Sequence, residues 1–211
     1  MNTNNQAQIT GYLPDTGFRF SHVYRQEKFY KTVISVPRKN SEREDNIIVF
    51  AKESVLESLP QNVKIVEIKG RFTSHDKWLY KENQHKLVLY LEAETVEARE
   101  CIDFEAGNNH LFLEGAICTE PYLKTTVVTE TKKVDFMIAI FRESGRKEVI
   151  PCVAWGGQAQ DIAKNMTRGT QLRIHGKIKS RTYYKKEAPG SWIGDFKTTY
   201  EVEVKYIETT E

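Results

Sequence analysis

Residues 177–186 read Lys-Ile-Lys-Ser-Arg-Thr-Tyr-Tyr-Lys-Lys. In an extended chain the side chains alternate between faces, so Lys177, Lys179, Arg181 and Tyr183 share one face. Tyr184 falls on the other face, Lys185 and Lys186 lead into a turn, and the segment contains no acid. Cations that track phosphates, beside flat rings on which bases stack, are what binding an unpaired polynucleotide without reading its sequence requires. The same residues also fit a solvated edge strand guarded by lysines.

Catalysis finds no comparable constellation. The five histidines (His22, His75, His85, His110, His175) show no His-x-x-x-His or His-Glu pairing for zinc. Gly156-Gly157 lacks the Lys-Ser/Thr of a phosphate loop, Gly-x-Ser-x-Gly is absent, and Asp15, Asp45 and Asp135 are scattered. Cys101, Cys118 and Cys152 are widely spaced, which predicts reduced cysteines, with Cys152 in a buried strand. The expectation is a binding protein that is not an enzyme and has no cofactor and no metal.

The chain that must position these residues has 211 of them, enough for one large domain or two small ones. Apolar residues at 39% and charged residues at 28% allow a buried core. A net charge of +2 excludes a histone-like polycation and an acidic tail protein, but a local basic stripe can hide in a neutral total. Residues 1–105 hold 15 basic and 16 acidic side chains, a net of −1, and residues 106–211 hold 16 and 13, a net of +3. The second half is therefore the expected site of a polyanion. No apolar run approaches the roughly 18 residues that span a bilayer, and Met1 to Gln8 has neither a basic region nor an apolar one. These features predict a cytoplasmic protein, nucleoid-associated if its partner is DNA, with no membrane contact.

Strand signals dominate. Lys31–Val36, Asn46–Phe50, Val63–Ile68 and His85–Glu92 are rich in β-branched and aromatic residues, as are Leu111–Leu113, Val134–Phe141, Val149–Trp155, Gln171–His175 and Tyr200–Tyr206. Ala159, Ile162, Ala163 and Met166 make one helical apolar stripe, with Gly169 as its stop. Lys52–Leu59, ended by Pro60, is a weaker counterpart. The halves repeat: Ile9-Thr-Gly11 matches Leu113-Glu-Gly115, Arg38 matches Arg142, and Gly70 matches Gly176 at the same place in a strand. Each half then reads as three strands, a short helix and two strands. That is the order of a five-stranded Greek-key barrel, and it predicts a mainly β chain of two tandem OB-folds. The expected divisions are a flexible N-terminus at 1–8, OB-fold 1 at 9–97, a linker at 98–109, OB-fold 2 at 110–208 and a short end at 209–211.

The second half resembles the bacterial single-stranded DNA-binding protein (SSB) family. The resemblance is carried by Asn109–Gly115, Phe136–Arg142, Ile150–Gly156 with Ala159 and Ala163, Ile174–Tyr183 and Thr199–Val204. Residues 8–97 resemble it less closely, best at Glu27–Tyr30, Ile34–Arg38 and Gly70–Ser74. The resemblance implies sequence-independent binding of single-stranded DNA in replication, recombination or repair. It also implies four OB-folds acting together, hence a homodimer, and replication or recombination proteins as partners. Family members usually end in an acidic, Phe-terminated tail. This sequence closes on Lys205-Tyr-Ile-Glu-Thr-Thr-Glu211, so it is expected to recruit no such partners or to use another surface. Primosomal replication protein N is a tailless relative, and a primosome or relaxosome assembly factor acting through protein contacts is the alternative reading. An OB-bearing nuclease or accessory subunit is the other.

The resemblance places stacking aromatics at Trp155 and Tyr183. Two further family tryptophan positions fall near Ser144 and Val149, leaving Phe141, Tyr184 or Trp192 as substitutes. In the first copy Phe50 falls near the Trp155 position, and Trp78 and Tyr80 near Tyr183, with Arg71 beside them. Arg38 in one copy, and Arg142 and Arg146 in the other, follow the second strand and are phosphate candidates. With most of the net charge in the second copy, that barrel is expected to bind tightest, and the first to complete the assembly.

Overall fold

The computed structural model describes residues 4–79, 84–127, 129–186, 192 and 194–210. The first half runs β1 (Asn5–Tyr12), β2 (Arg19–Tyr24), β3 (Glu27–Pro37), β4 (Glu44–Lys52), α1 (Glu53–Leu56), β5 (Ile65–Leu79) and β6 (Gln84–Arg99). The second repeats it: β7 (Asn109–Ile117), β8 (Tyr122–Thr125), β9 (Lys132–Phe141), β10 (Lys147–Trp155), α2 (Gly156–Asn165), β11 (Gln171–Lys186) and β12 (Gly194–Thr209). Each half is an OB barrel with one strand beyond the five expected. The extra strands, β2 and β8, are exposed at every position. Lacking an inward face, they show no burial alternation, and only pairing with β3 and β9 holds them extended.

All twelve strands join in one sheet of order β2-β3-β4-β6-β5-β1-β7-β11-β12-β10-β9-β8. The order is palindromic about an antiparallel β1–β7 seam, in which Asn5 faces Leu113, Ala7 faces Leu111 and Ile9 faces Asn109. The expected flexible N-terminus is corrected here: residues 5–8 belong to β1. Their backbone groups are paired across the seam, and the Asn5 side chain is buried, donating 2.8 Å to the Phe72 carbonyl and accepting 3.1 Å from the Phe72 amide. Asn109 makes the same two bonds to Ile178, at 2.8 and 2.9 Å.

Period-2 alternation builds the core. Ile47, Val49 and Ala51 of β4 point inward, as do Ile150, Cys152 and Ala154 of β10. Each barrel closes where β1 or β7 bends from one neighbour to another, pairing Tyr12 with Ser35 and Ala116 with Ala139. The repeated glycines sit where backbones cross closely: a Cβ on Gly70 would stand 2.0 Å from the Glu92 carbonyl oxygen, and one on Gly176 would stand 2.6 Å from that of Glu203. Helix α2 buries Ala159 and Ile162 as its stripe predicts, but it ends at Asn165, before Gly169. Helix α1 is a single turn. No helix among the described residues is long and apolar enough to cross a membrane.

Candidate nucleic-acid interface

Strand β10 ends at Trp155, whose side chain is 41% exposed. Lys133 lies directly opposite on β9, with its Nζ 5.4 Å from the indole centre. Beside them runs a groove of about 700 Å³ whose walls include Trp155, Lys133, Lys179, Arg181 and, from the first barrel, Arg43. Strand β11 presents Lys177, Lys179, Arg181 and Tyr183 on its outward face, as alternation predicts; the two lysines are half-buried, and Arg181 and Tyr183 are exposed.

Carboxylates partly neutralise this face. Lys179 lies 3.6 Å from Asp45 and 3.4 Å from Glu203. Burial pushes the Glu203 carboxyl up, but Lys205 and Lys179 outweigh it and hold the group below the usual carboxylate range. Among the described residues Arg181 and Lys177 make no ion pair. Burial, then Lys179 and Lys205, push the Lys177 ammonium below the ordinary lysine value.

The β11–β12 hairpin carries an aromatic group that the sequence showed only in part. The Tyr184 ring meets Phe196 edge-on at 5.3 Å, and its hydroxyl donates to the Trp192 carbonyl at 3.0 Å. Trp192 is 92% exposed and Phe196 75% exposed. Phe196 was missed because its signal is its register opposite Tyr184, which requires the hairpin turn to be placed. Lys185 is exposed and Lys186 pairs through its backbone with Gly194. Phe141 is exposed at the end of β9. Trp78 pairs through its backbone with His85, and Tyr80 lies outside the described residues.

Arg38 and Arg142, expected on phosphates, and Arg71, expected beside the first-barrel aromatics, are instead committed to buried carboxylates at the seam between the barrels. Arg38 grips buried Asp45 through two bonds of 2.9 and 2.6 Å, and Asp45 also accepts 2.7 Å from the backbone amide of Ser180 in the other barrel. The mirror arrangement surrounds Glu148, which is fully buried. It accepts from Arg142 and from Thr73 of the first barrel, and Arg71, itself buried, lies 3.6 Å away. Arg142 also pairs with Glu92 at 2.8 Å. The same symmetry links the Asn46 amide to the Ser180 hydroxyl at 2.8 Å and the Val149 amide to the Ser74 hydroxyl at 2.9 Å. A carboxylate taken from water must be paired, and the cations nearest in the fold are these arginines. Arg146 stays exposed and donates 2.9 Å to the Ser74 carbonyl. The missed signal was Asp45 and Glu148 themselves, charged residues at inward positions of otherwise apolar strands.

Strand register also corrects one correspondence between the copies. Trp155 faces Lys133 as Lys52 faces Phe29, and Val153 faces Glu203 across the parallel pairing as Phe50 faces Glu92. The first-barrel counterpart of Trp155 is therefore Lys52; Phe50 corresponds to Val153.

Two Greek-key barrels with cations and exposed aromatics on their outward strands define the OB class of oligonucleotide-binding architecture. Residues 108–209 match the Single-strand binding protein family. A single-stranded DNA-binding protein of Clostridium tetani is 32% identical over 105 residues, covering 47% of this chain and 70% of that relative. Single-stranded DNA-binding protein 3 of Clostridium acetobutylicum is 30% identical over the same length, covering 47% and 71%. The chain belongs to the single-strand binding protein family. The crystal structure of wild-type single-stranded DNA binding protein from Thermus aquaticus superposes with a TM-score of 0.70 at 16% identity, over 98% of this chain and 93% of that one. A deletion mutant of the same protein gives 0.72, over 98% and 94%. That likeness extends the fold match over both barrels.

Proposed function

We propose that this chain binds single-stranded DNA without sequence preference and keeps the strand extended during replication, recombination or repair. The observation that carries the reading is Trp155, exposed at a strand end with Lys133 against its ring, beside a groove that also holds Arg181. The indole supplies a stacking face, worth about 1–3 kcal/mol per base, and the cations supply phosphate attraction. Membership of the family and the names of its relatives support this over an assembly factor acting through protein contacts. The chain acts without catalysis, as a cytoplasmic homodimer that brings four barrels together. Within one chain the β1–β7 seam holds both barrels in fixed relation, so that one strand can run across them.

Fluorescence titration with oligo-dT is the test. Tryptophan emission is quenched on binding, and the quenching falls sharply in Trp155→Ala. The logarithm of the binding constant declines against that of salt with a slope of about −0.7 per phosphate contacted. Absence of both quenching and a mobility shift at low salt overturns the reading. Cleavage of labelled strands in Mg²⁺ overturns the non-catalytic part, and a monomer or trimer by light scattering overturns the dimer.

A further inference from the structure

We propose that the first barrel carries a base-stacking platform of its own, built at different positions from that of the second. It lies on the outward face of β2-β3-β4-β6 and consists of His22, Phe29, Phe50 and Tyr90 with Lys31. The inference rests on the reading that the chain binds single-stranded DNA.

Register shows that the first barrel lacks rings where the second has them. Trp155 corresponds to Lys52, and Tyr183, which faces Lys197, corresponds to Lys77, which faces Lys86. The reverse also holds: Phe29, Phe50 and Tyr90 correspond to Lys133, Val153 and Glu201. The aromatics have moved across the face toward the β2 edge.

There they form a continuous series, one from each of four adjacent strands. His22 and Phe29 stack in parallel, 5.1 Å apart and 5° from coplanar. His22 lies 6.1 Å from Phe50, and Phe50 meets Tyr90 edge-on at 5.0 Å. Lys31 stands 5.6 Å from the Phe50 ring centre and makes no ion pair among the described residues. These rings do not seal the core, because the inward positions of the same strands are filled by Ile34, Ile47, Val49 and Leu91. His22 is exposed and Phe29, Phe50 and Tyr90 are half-buried, so ring faces remain open to solvent. A series of rings with a parallel pair at one end and a cation over its Phe50 member, on a solvated sheet face, suits an unpaired base and its phosphate.

The test is photocrosslinking of the full chain to oligo-dT carrying 5-iododeoxyuridine, with the attached residues mapped by mass spectrometry. Crosslinks to His22, Phe29, Phe50 or Tyr90, alongside those to Trp155, are expected. Crosslinks confined to the second barrel, with binding intact, overturn this platform and leave the binding reading standing. No binding at all overturns the reading instead. As a second measurement, Phe29→Leu with Phe50→Leu keeps the patch apolar and removes two stacking faces. Affinity for oligo-dT falls about tenfold or more if the platform is used. An unchanged affinity in a variant with wild-type melting overturns it.

Discussion

The two barrels share strand order, closing glycines and a carboxylate–arginine clamp, and differ in what their outward strands carry. The second barrel puts Trp155 at a strand end with Lys133 opposite. At the same two places the first barrel has the aromatic and the lysine exchanged, Phe29 facing Lys52. Backbone hydrogen bonds and inward apolar residues maintain a barrel whatever faces water, so duplicated outward surfaces can diverge while the fold persists. The uneven charge of the two halves therefore does not settle which barrel grips harder, because both barrels carry rings on their outward strands.

The clamp gives the sharpest contrast. Glu148→Gln leaves the guanidiniums of Arg142 and Arg71 facing a neutral group, and should cost about 3–5 kcal/mol in urea denaturation. Asp45→Asn should cost less, about 2 kcal/mol, because Arg38 is the more solvated arginine. Equal losses would show that the two halves of the seam are energetically equivalent. The closing glycines come next. Gly70→Ala should destabilise by about 3 kcal/mol and Gly176→Ala by about 1–2 kcal/mol, in the order of their approach distances. A reversed order by thermal melting would show that the first barrel relaxes more easily.

On the binding face, Trp155→Ala should weaken oligo-dT affinity by about 1–3 kcal/mol, about fivefold to a hundredfold. Its counterpart Lys52→Ala should change affinity only a few-fold, since Lys52 is already paired with Glu27 at 2.8 Å. Parity between these two variants would remove the distinction between the faces. The smallest effect is expected from Lys177→Met, which should lower the magnitude of the salt slope by about 0.7 if Lys177 meets a phosphate. Its depressed pKa also has a sign. Between the lowered folded value and the ordinary lysine value the unfolded chain binds more protons, so stability rises with pH through that window. Denaturation of Lys177→Met across alkaline pH should show a smaller rise.

Much of the fold was legible in the sequence because alternation and glycine placement are local. Gly11 with Gly115 and Gly70 with Gly176 marked the repeat, and the structure puts each pair at the same crossing. Strands β2 and β8 were not legible, having no buried face. Of the candidate site, the shared face of Lys177, Lys179, Arg181 and Tyr183 followed from strand period alone. The fate of Arg38, Arg71 and Arg142 did not. An arginine in or just after a strand looks alike in sequence whether it meets phosphate, water or a buried carboxylate. Chain offset puts Phe50 near the Trp155 position, but it locates a strand and not which residue opposes which, and register makes Lys52 the counterpart.

By itself the sequence determined two similar barrels, their order, and a basic, aromatic strand in the second. These depend on periodicities of two and on spacings that recur about 104 residues apart. Only the tertiary structure decided which charges remain available and which rings adjoin. Asp45 meets the Ser180 amide 135 residues away, and Glu148 meets Thr73 75 residues away. Electrostatic and stacking contacts act through space over a few ångströms, so the pairing of strands and barrels, and no local pattern, selects the partners.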